Sequence, residues 1–338
     1  MSLPIYQHPS LTVLVDDSDS FLRSLSFQLD PALASVGFHD TRTALAWLRA
    51  NSGLTQPQGT TMTASFDTNA RSLEQCSVAF DIDCIHRTCF DGDRFATPSV
   101  LVVDYSMPQM NGIDFCKEIA SLPCKKILFT GAADEKIAVE AFNRGLIDRF
   151  IKKSDDDALE RLEQDILELQ RDYFARQSAP LRELLALNGY GFVSDDAFAD
   201  LVRDISGPLG TVEHYLFPNP CGLLMFDAQG KASLMVVETD ASMQAHVEVA
   251  RDNKAPSSLL AAVHARHMVP FFHAEDGDAM YSAAVGEDWQ RYCKPAQVCT
   301  GAERYYWAIF DLPAGYLKRP VRPHGEFLRH HTGARRAA

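Results

Sequence analysis

At 338 residues, 46% of them hydrophobic, the chain can bury a sizeable core and is long enough for two domains. A formal net charge of −13 argues against strong overall attraction to nucleic acid or to an anionic membrane. No run approaches the roughly 18–20 apolar residues that cross a bilayer. The opening MSLPIYQHPS lacks the charged and apolar regions of an export signal, so a cytoplasmic protein without membrane contact is expected. The eight cysteines are irregularly spaced and form no CxxC, which reads as reduced thiols rather than a disulfide framework.

The chain opens with alternating strand and helix patterns. Residues 11–15 (LTVLV) are a short apolar, β-rich run that stops at Asp16 and Asp17. Residues 18–30 carry Phe21, Leu22, Leu25 and Leu29 on one helical stripe, and Pro31 ends it. A weak strand is expected near Val36–Phe38, and a helix from Thr41 with Ala44, Leu45 and Leu48 inward. Residues 51–98 interrupt the rhythm and read as an insertion. Its start is polar and turn-rich, and SVAFDIDCIHRTCF has the pattern of a hairpin. The rhythm resumes with the strand 99–103 (SVLVV), a helix over 112–121, a strand at 126–129, a helix over 134–144 and a strand at 149–151. Alternating β and α elements imply a parallel sheet with helices on both faces.

Residues 155–179 predict a helical linker. Leu159, Leu162, Ile166, Leu169 and Tyr173 recur at spacings of 3, 4, 3 and 4, a heptad-like seam. It fits equally a helix packed on its own domain and a contact between two copies of the chain. Residues 180–338 read as a separate α+β domain, with helices near 181–187, 195–205 and 241–268, a hairpin over 222–237, and strands at 269–272 and 305–310.

Four features of the first half converge on one chemistry. Asp16 and Asp17 follow the first strand, Asp104 follows the third, Thr130 ends the fourth and Lys153 follows the fifth. In an open parallel sheet the carboxyl ends of the strands share one edge, so these residues are expected to meet in one pocket. A carboxylate attacking a phosphoryl group faces charge repulsion, which a cation must relieve. Three carboxylates supply hard oxygen donors suited to Mg²⁺. Asp104 is expected as the nucleophile forming an aspartyl-phosphate, with the Lys153 ammonium and the Thr130 hydroxyl on the phosphoryl oxygens.

The segments LTVLVDDSDS, SVLVVDYSMPQMNG, ILFTGAAD and FIKKS resemble the signature segments of bacterial response-regulator receiver domains over about residues 10–155, the insertion excepted. The resemblance implies a flavodoxin-like, doubly wound, five-stranded parallel sheet and a sensor histidine kinase or phosphotransfer protein as partner. It also implies Mg²⁺ held by Asp17, Asp104 and the Ser106 carbonyl with Asp16 assisting, and a switch in which Thr130 moves toward the phosphoryl group and Phe150 turns inward. Pro108 and Gly112 match the family's turn after the phosphorylated aspartate. Two departures stand out. The commonest spacing from Thr130 lands on Lys152, whereas the family's aromatic aligns Phe150 with Lys153, and the proline that often follows the lysine is absent. The long insertion and ADEKIAVEAFNRGLIDRFIKKS are further similar to quorum-sensing response regulators of the Legionella Lqs and Ralstonia Phc type.

The expected organisation is a receiver over 1–154 with its insertion at 51–98, a helical linker at 155–179 that is a candidate dimer seam, and an output domain over 180–338. The function that follows is a phosphorylation-switched response regulator, forming a homodimer on phosphorylation and acting in quorum-sensing control of gene expression. Two alternatives stay open for the output domain: an enzyme acting on nucleotides or nucleic acid, or a protein-interaction module. Cys76, Cys84, His86 and Cys89 have a spacing unlike common zinc modules. His264, His267, His273, Glu275, Asp276 and Asp278 offer ligand types for a transition metal or a catalytic cleft. The basic tail from Leu317 has the charge to touch phosphates, but no helix-turn-helix pattern accompanies it. No recognised enzymatic motif marks the output domain, so the only catalysis expected is the receiver's own phosphorylation and dephosphorylation.

Overall fold

The computed structural model describes residues 3–52, 63–66, 76–79, 81–131, 135–273, 283–313 and 315–337. Its residues gather into two compact units, each assembled from three stretches of chain. One comprises Gln7–Gln58, Cys89–Gln177 and Val321–Ala338, the other Met1–Tyr6, Gly59–Thr88 and Ser178–Pro320.

The first unit is built on five parallel strands, β1 (Leu11–Val15), β2 (Ser35–Phe38), β3 (Pro98–Val103), β4 (Lys125–Thr130) and β5 (Arg149–Lys152), in the order β2-β1-β3-β4-β5. Every residue of β1 and β3 is buried, as their unbroken apolar runs require of strands covered on both faces. The helices are α1 (Asp19–Gln28), α2 (Thr41–Asn51), α3 (Gly112–Glu118), α4 (Glu135–Asn143) and, up to Gln177, α5 (Ala158–Ala186). One face of the sheet packs Val13, Val15, Leu101, Val103 and Leu128 against Leu45 and Leu48 of α2, Phe115 of α3 and Ala138 of α4. The other packs Leu14, Val100, Val102, Ile127, Phe129 and Ile151 against Leu22 and Leu25 of α1 and Leu162, Ile166 and Leu169 of α5. This is the doubly wound architecture that the sequence predicts.

The helical linker is where the expectation has to change. Leu162, Ile166 and Leu169 are fully buried, and Leu159 packs against the same core. The heptad-like seam therefore closes one face of its own sheet and leaves no stripe free to meet a second copy. The cause is geometric: Leu14, Val100, Val102, Ile127, Phe129 and Ile151 spread over four strands a face too wide for α1 alone to cover.

The basic tail also departs from the sequence reading. Residues from Val321 onward belong to this first unit, and His324–Ala337 is a helix. Phe327 packs with Leu11, Ala34 and Phe95. The Arg94 guanidinium lies 4.0 Å from the Phe95 ring centroid and donates to the Arg322 carbonyl at 2.8 Å. His331 Nε2 is 2.9 Å from the Ser35 carbonyl, which can only accept, so that nitrogen carries the proton. A sequence reading that divides the chain at 154 and 180 misses this return because the tail's composition is polar and basic.

The second unit holds a six-stranded sheet. Its order runs from the short strand Tyr6–Gln7 through β6 (Thr211–Phe217), β7 (Gly222–Asp227), β8 (Ala232–Thr239) and then β10 (Arg304–Asp311) to β9 (Gln297–Thr300). The hairpin β7–β8 turns where Asp227 Oδ1 accepts from the backbone of Gln229 and Lys231, with Gly230 at φ 82°. Helices α6 (Asp196–Leu209), α7 (Asp240–Asp252) and α8 (Ser257–His264) complete an α+β unit. The N-terminal stretch joins it through Leu216 N–H donating to the Ile5 carbonyl at 2.7 Å. In the insertion, Cys76–Ala79 pairs with Thr63–Phe66, upstream of the hairpin expected at 77–90. Asp81 instead accepts from the Asp83 backbone and starts the helix Asp83–Arg87.

Candidate phosphoacceptor site

The register of the parallel sheet sets the site. Val15 lies opposite Phe38 and Val103, and Thr130 opposite Lys152. The residues that follow β1, β3 and β5 therefore emerge on one edge. Two backbone bonds continue the ladder past the strand ends: Asp104 N–H donates to the Val15 carbonyl at 2.9 Å and Lys153 N–H to the Thr130 carbonyl at 3.1 Å.

At that edge the Lys153 ammonium donates to Asp16 Oδ2 at 2.6 Å and to Asp104 Oδ1 at 2.8 Å. Both carboxylates are buried, at 5% and 7% exposure. Their second oxygens are also engaged, Asp16 Oδ1 by the Ser18 backbone N–H at 2.9 Å and Asp104 Oδ2 by the Ser106 N–H at 2.7 Å. Ser18 in turn caps α1 by accepting from Phe21 N–H at 3.2 Å. Asp17 is exposed beside this pair, and Thr130 is buried at the end of β4. Phe150 is partly buried against the core under α4. The structure thus brings Lys153 to the carboxylates, the choice favoured by aligning Phe150 with the family aromatic.

The turn after Asp104 is held at its far end by Gly112, whose N–H donates to the Tyr105 carbonyl at 3.0 Å. Asn111 caps α3 by accepting from Asp114 N–H at 2.9 Å.

A family model for the response regulator receiver domain matches residues 85–163. The response regulator LqsR of Legionella pneumophila has a solved structure to which this chain is similar, at 29% identity and a TM-score of 0.76, with 97% of each chain covered. The chain is a two-component response regulator. It is also 30% identical over 140 residues to the regulatory protein AtoC of Escherichia coli (strain K12), a match that takes in 38% of this chain and 30% of that curated relative's length. The first unit of the response regulator is accordingly its receiver and the second its output domain.

The receiver's carboxylates fit a hard divalent cation. Two buried carboxylates share a single ammonium, which leaves an excess negative charge at the edge, with Asp17 adding another. Such an all-oxygen donor set favours Mg²⁺ over softer metals. Sequence reasoning did not assign a part to Phe21, whose ring centroid lies 4.0 Å from Lys153 Nζ. The signal available was its place on the inner stripe of the helix that follows the aspartate pair.

Among the described residues no group of three or more His, Cys, Asp or Glu is already gathered as a metal site, the receiver's aspartates included, whose buried pair is bridged by Lys153. The other metal readings have less behind them. Cys84 and Cys89 are buried and in no disulfide, His86 packs its ring 4.8 Å from that of Phe217, and the Cys76 side chain lies outside the described residues. In the output domain His264 and His267 are exposed and His273 packs against Phe271 and Tyr292. Glu275, Asp276 and Asp278 lie outside the described residues. Among those described, no helix is long and apolar enough to cross a membrane.

Proposed function

We propose that this response regulator accepts a phosphoryl group on Asp104 from a sensor histidine kinase or a phosphotransfer protein, and that the modified receiver switches its output domain. The observation that carries the reading is the single Lys153 ammonium joining carboxylates from the ends of two different strands. An Asp104 oxygen attacks phosphorus, the donor's P–O or P–N bond breaks, and the leaving group departs with the bonding electrons. No base is needed, because the nucleophile is already ionised. The Lys153 ammonium, which here bridges two carboxylates, and the Thr130 hydroxyl are suited to hold the phosphoryl oxygens. Asp16, Asp17, Asp104 and the Ser106 carbonyl would hold Mg²⁺, which when bound supplies the charge neutralisation that lets an anionic donor approach.

The switch we infer runs through Thr130 and Phe150 to α4. That helix exposes Ile137, Val139 and Phe142, a surface whose shape depends on the core into which Phe150 packs. With the 159–173 seam buried, a phosphorylation-dependent homodimer would use this apolar face. We place this switch in the cytoplasm and in quorum-sensing control of gene expression, a reading that the likeness to LqsR supports. The test is to incubate the full chain with acetyl phosphate and Mg²⁺. Label should appear in the wild type and vanish in Asp104→Asn and on adding excess chelator. Label persisting in Asp104→Asn would refute the reading.

A further inference from the structure

The Lys153 side chain is only 22% exposed, and its ammonium meets an aromatic surface as well as two carboxylates. Nζ is 4.0 Å from the Phe21 ring centroid and 5.9 Å from that of Phe129, and these two rings stand 6.2 Å apart, tilted by 38°. A cation over a ring face within about 6 Å is attracted by the ring quadrupole, more so when partly desolvated. The nearer ring is also tied to the acidic pair. Asp16 accepts from Ser18 N–H, Ser18 accepts from Phe21 N–H, Phe21 underlies Lys153, and Lys153 returns to Asp16. This closed circuit makes the start of α1 a cradle for the lysine.

We propose that Phe21 is a positioning residue for the receiver reaction: its ring face holds the Lys153 ammonium at Asp104. Lysine has four flexible bonds and a strongly hydrated head, so a lysine tethered by hydrogen bonds alone would swing into water as its carboxylate partners are neutralised by a cation. The ring keeps it where the phosphoryl oxygens arrive. Phe129, farther away and belonging to β4, contributes the back wall of the same cradle. The inference rests on Asp104 being the acceptor, yet it predicts a structural signature that does not depend on labelling.

The experiment uses the full chain with Phe21→Leu, Phe21→Tyr and a series of mono-, di- and trifluorinated phenylalanines at position 21. Fluorination weakens the ring quadrupole while keeping the ring in place. Labelling of Asp104 by acetyl phosphate should slow roughly fivefold in Phe21→Leu, stay within about twofold in Phe21→Tyr, and fall stepwise with fluorine count. Separately, the Lys153 ε-methylene protons should show an upfield ring-current displacement by NMR that disappears in Phe21→Leu and persists in Phe21→Tyr. Labelling unchanged across the fluorinated series overturns the proposal. So does an ε-methylene signal unaffected by Phe21→Leu, whether or not the wild type takes label. If Phe21→Leu fails to fold, the fluorinated series decides.

Discussion

Gly112 stands so close to the phosphoacceptor candidate that a Cβ on it would lie 2.3 Å from the Asp104 backbone carbonyl oxygen. The approach pins the turn 104–112 and with it the direction in which the Asp104 carboxylate leaves β3. Gly112→Ala must push the turn away from the strand, which should cost about 1–3 kcal/mol of stability. It should also displace Asp104 from Lys153 and slow labelling. A urea midpoint and a labelling rate both equal to wild type would contradict this.

Lys152 and Lys153 are adjacent, but only the second is within hydrogen-bond reach of both carboxylates. Lys153→Met should lower the labelling rate roughly 100-fold or more, the scale seen when one preorganised electrostatic partner is removed. Lys152→Met should change it less than about threefold. Parallel phosphate-affinity gels on both variants make the comparison.

Burial of the α5 stripe turns an expected dimer contact into a folding contact. Leu162→Ala or Ile166→Ala should destabilise the chain by about 2–5 kcal/mol. Thermal midpoints taken at several protein concentrations distinguish the two cases, since the loss should be the same at every concentration.

The C-terminal helix brings a titratable group into the receiver core. His324 is 4% exposed, and burial, aided by the Arg94 charge, pushes its pKa down to about 4. Its unfolded value is about 6.5, so the unfolded chain takes up the proton first. Stability is complete above about pH 6.5 and is lost as the pH falls toward 4, by roughly 2 kcal/mol between pH 7 and pH 5. His86 and His214 are likewise held neutral by burial and act in the same sense. Denaturant titrations at pH 7 and pH 5 should differ less in His324→Phe than in wild type. An equal difference in the two proteins would show that His324 does not carry the dependence.

Removing residues 321–338 deletes Phe327 and the His331 bond to Ser35 together. The edge strand β2 should then exchange its amide hydrogens markedly faster, while the central strand β3 keeps its protection. Native-state hydrogen exchange on the truncated chain reads this directly.

The receiver's sheet and its acidic edge were legible because each strand is a short local pattern and the chemistry falls at the strand ends. Asp16, Asp104 and Lys153 needed only a parallel topology to bring them together. The role of α5 was legible in its period but not in its partner, since a stripe spaced 3 and 4 serves a sheet face and a second helix alike. The return of the tail was hidden for another reason: Phe327 is a single aromatic among basic residues, and its contacts with Leu11, Ala34 and Phe95 span most of the chain. Phe21 read as one more core residue, because a helix period shows which side is inward without showing that the inward neighbour is an ammonium.

Because the last stretch of the receiver lies beyond the output domain in sequence, a ribosome releases Phe327 and His331 only after residues 178–320 have been made. The phosphoacceptor half therefore waits, with one flank uncovered, until residues 178–320 have been made. Chimaeras that exchange output domains by a single cut near residue 180 would graft foreign residues onto that flank, and a working exchange has to splice at both ends.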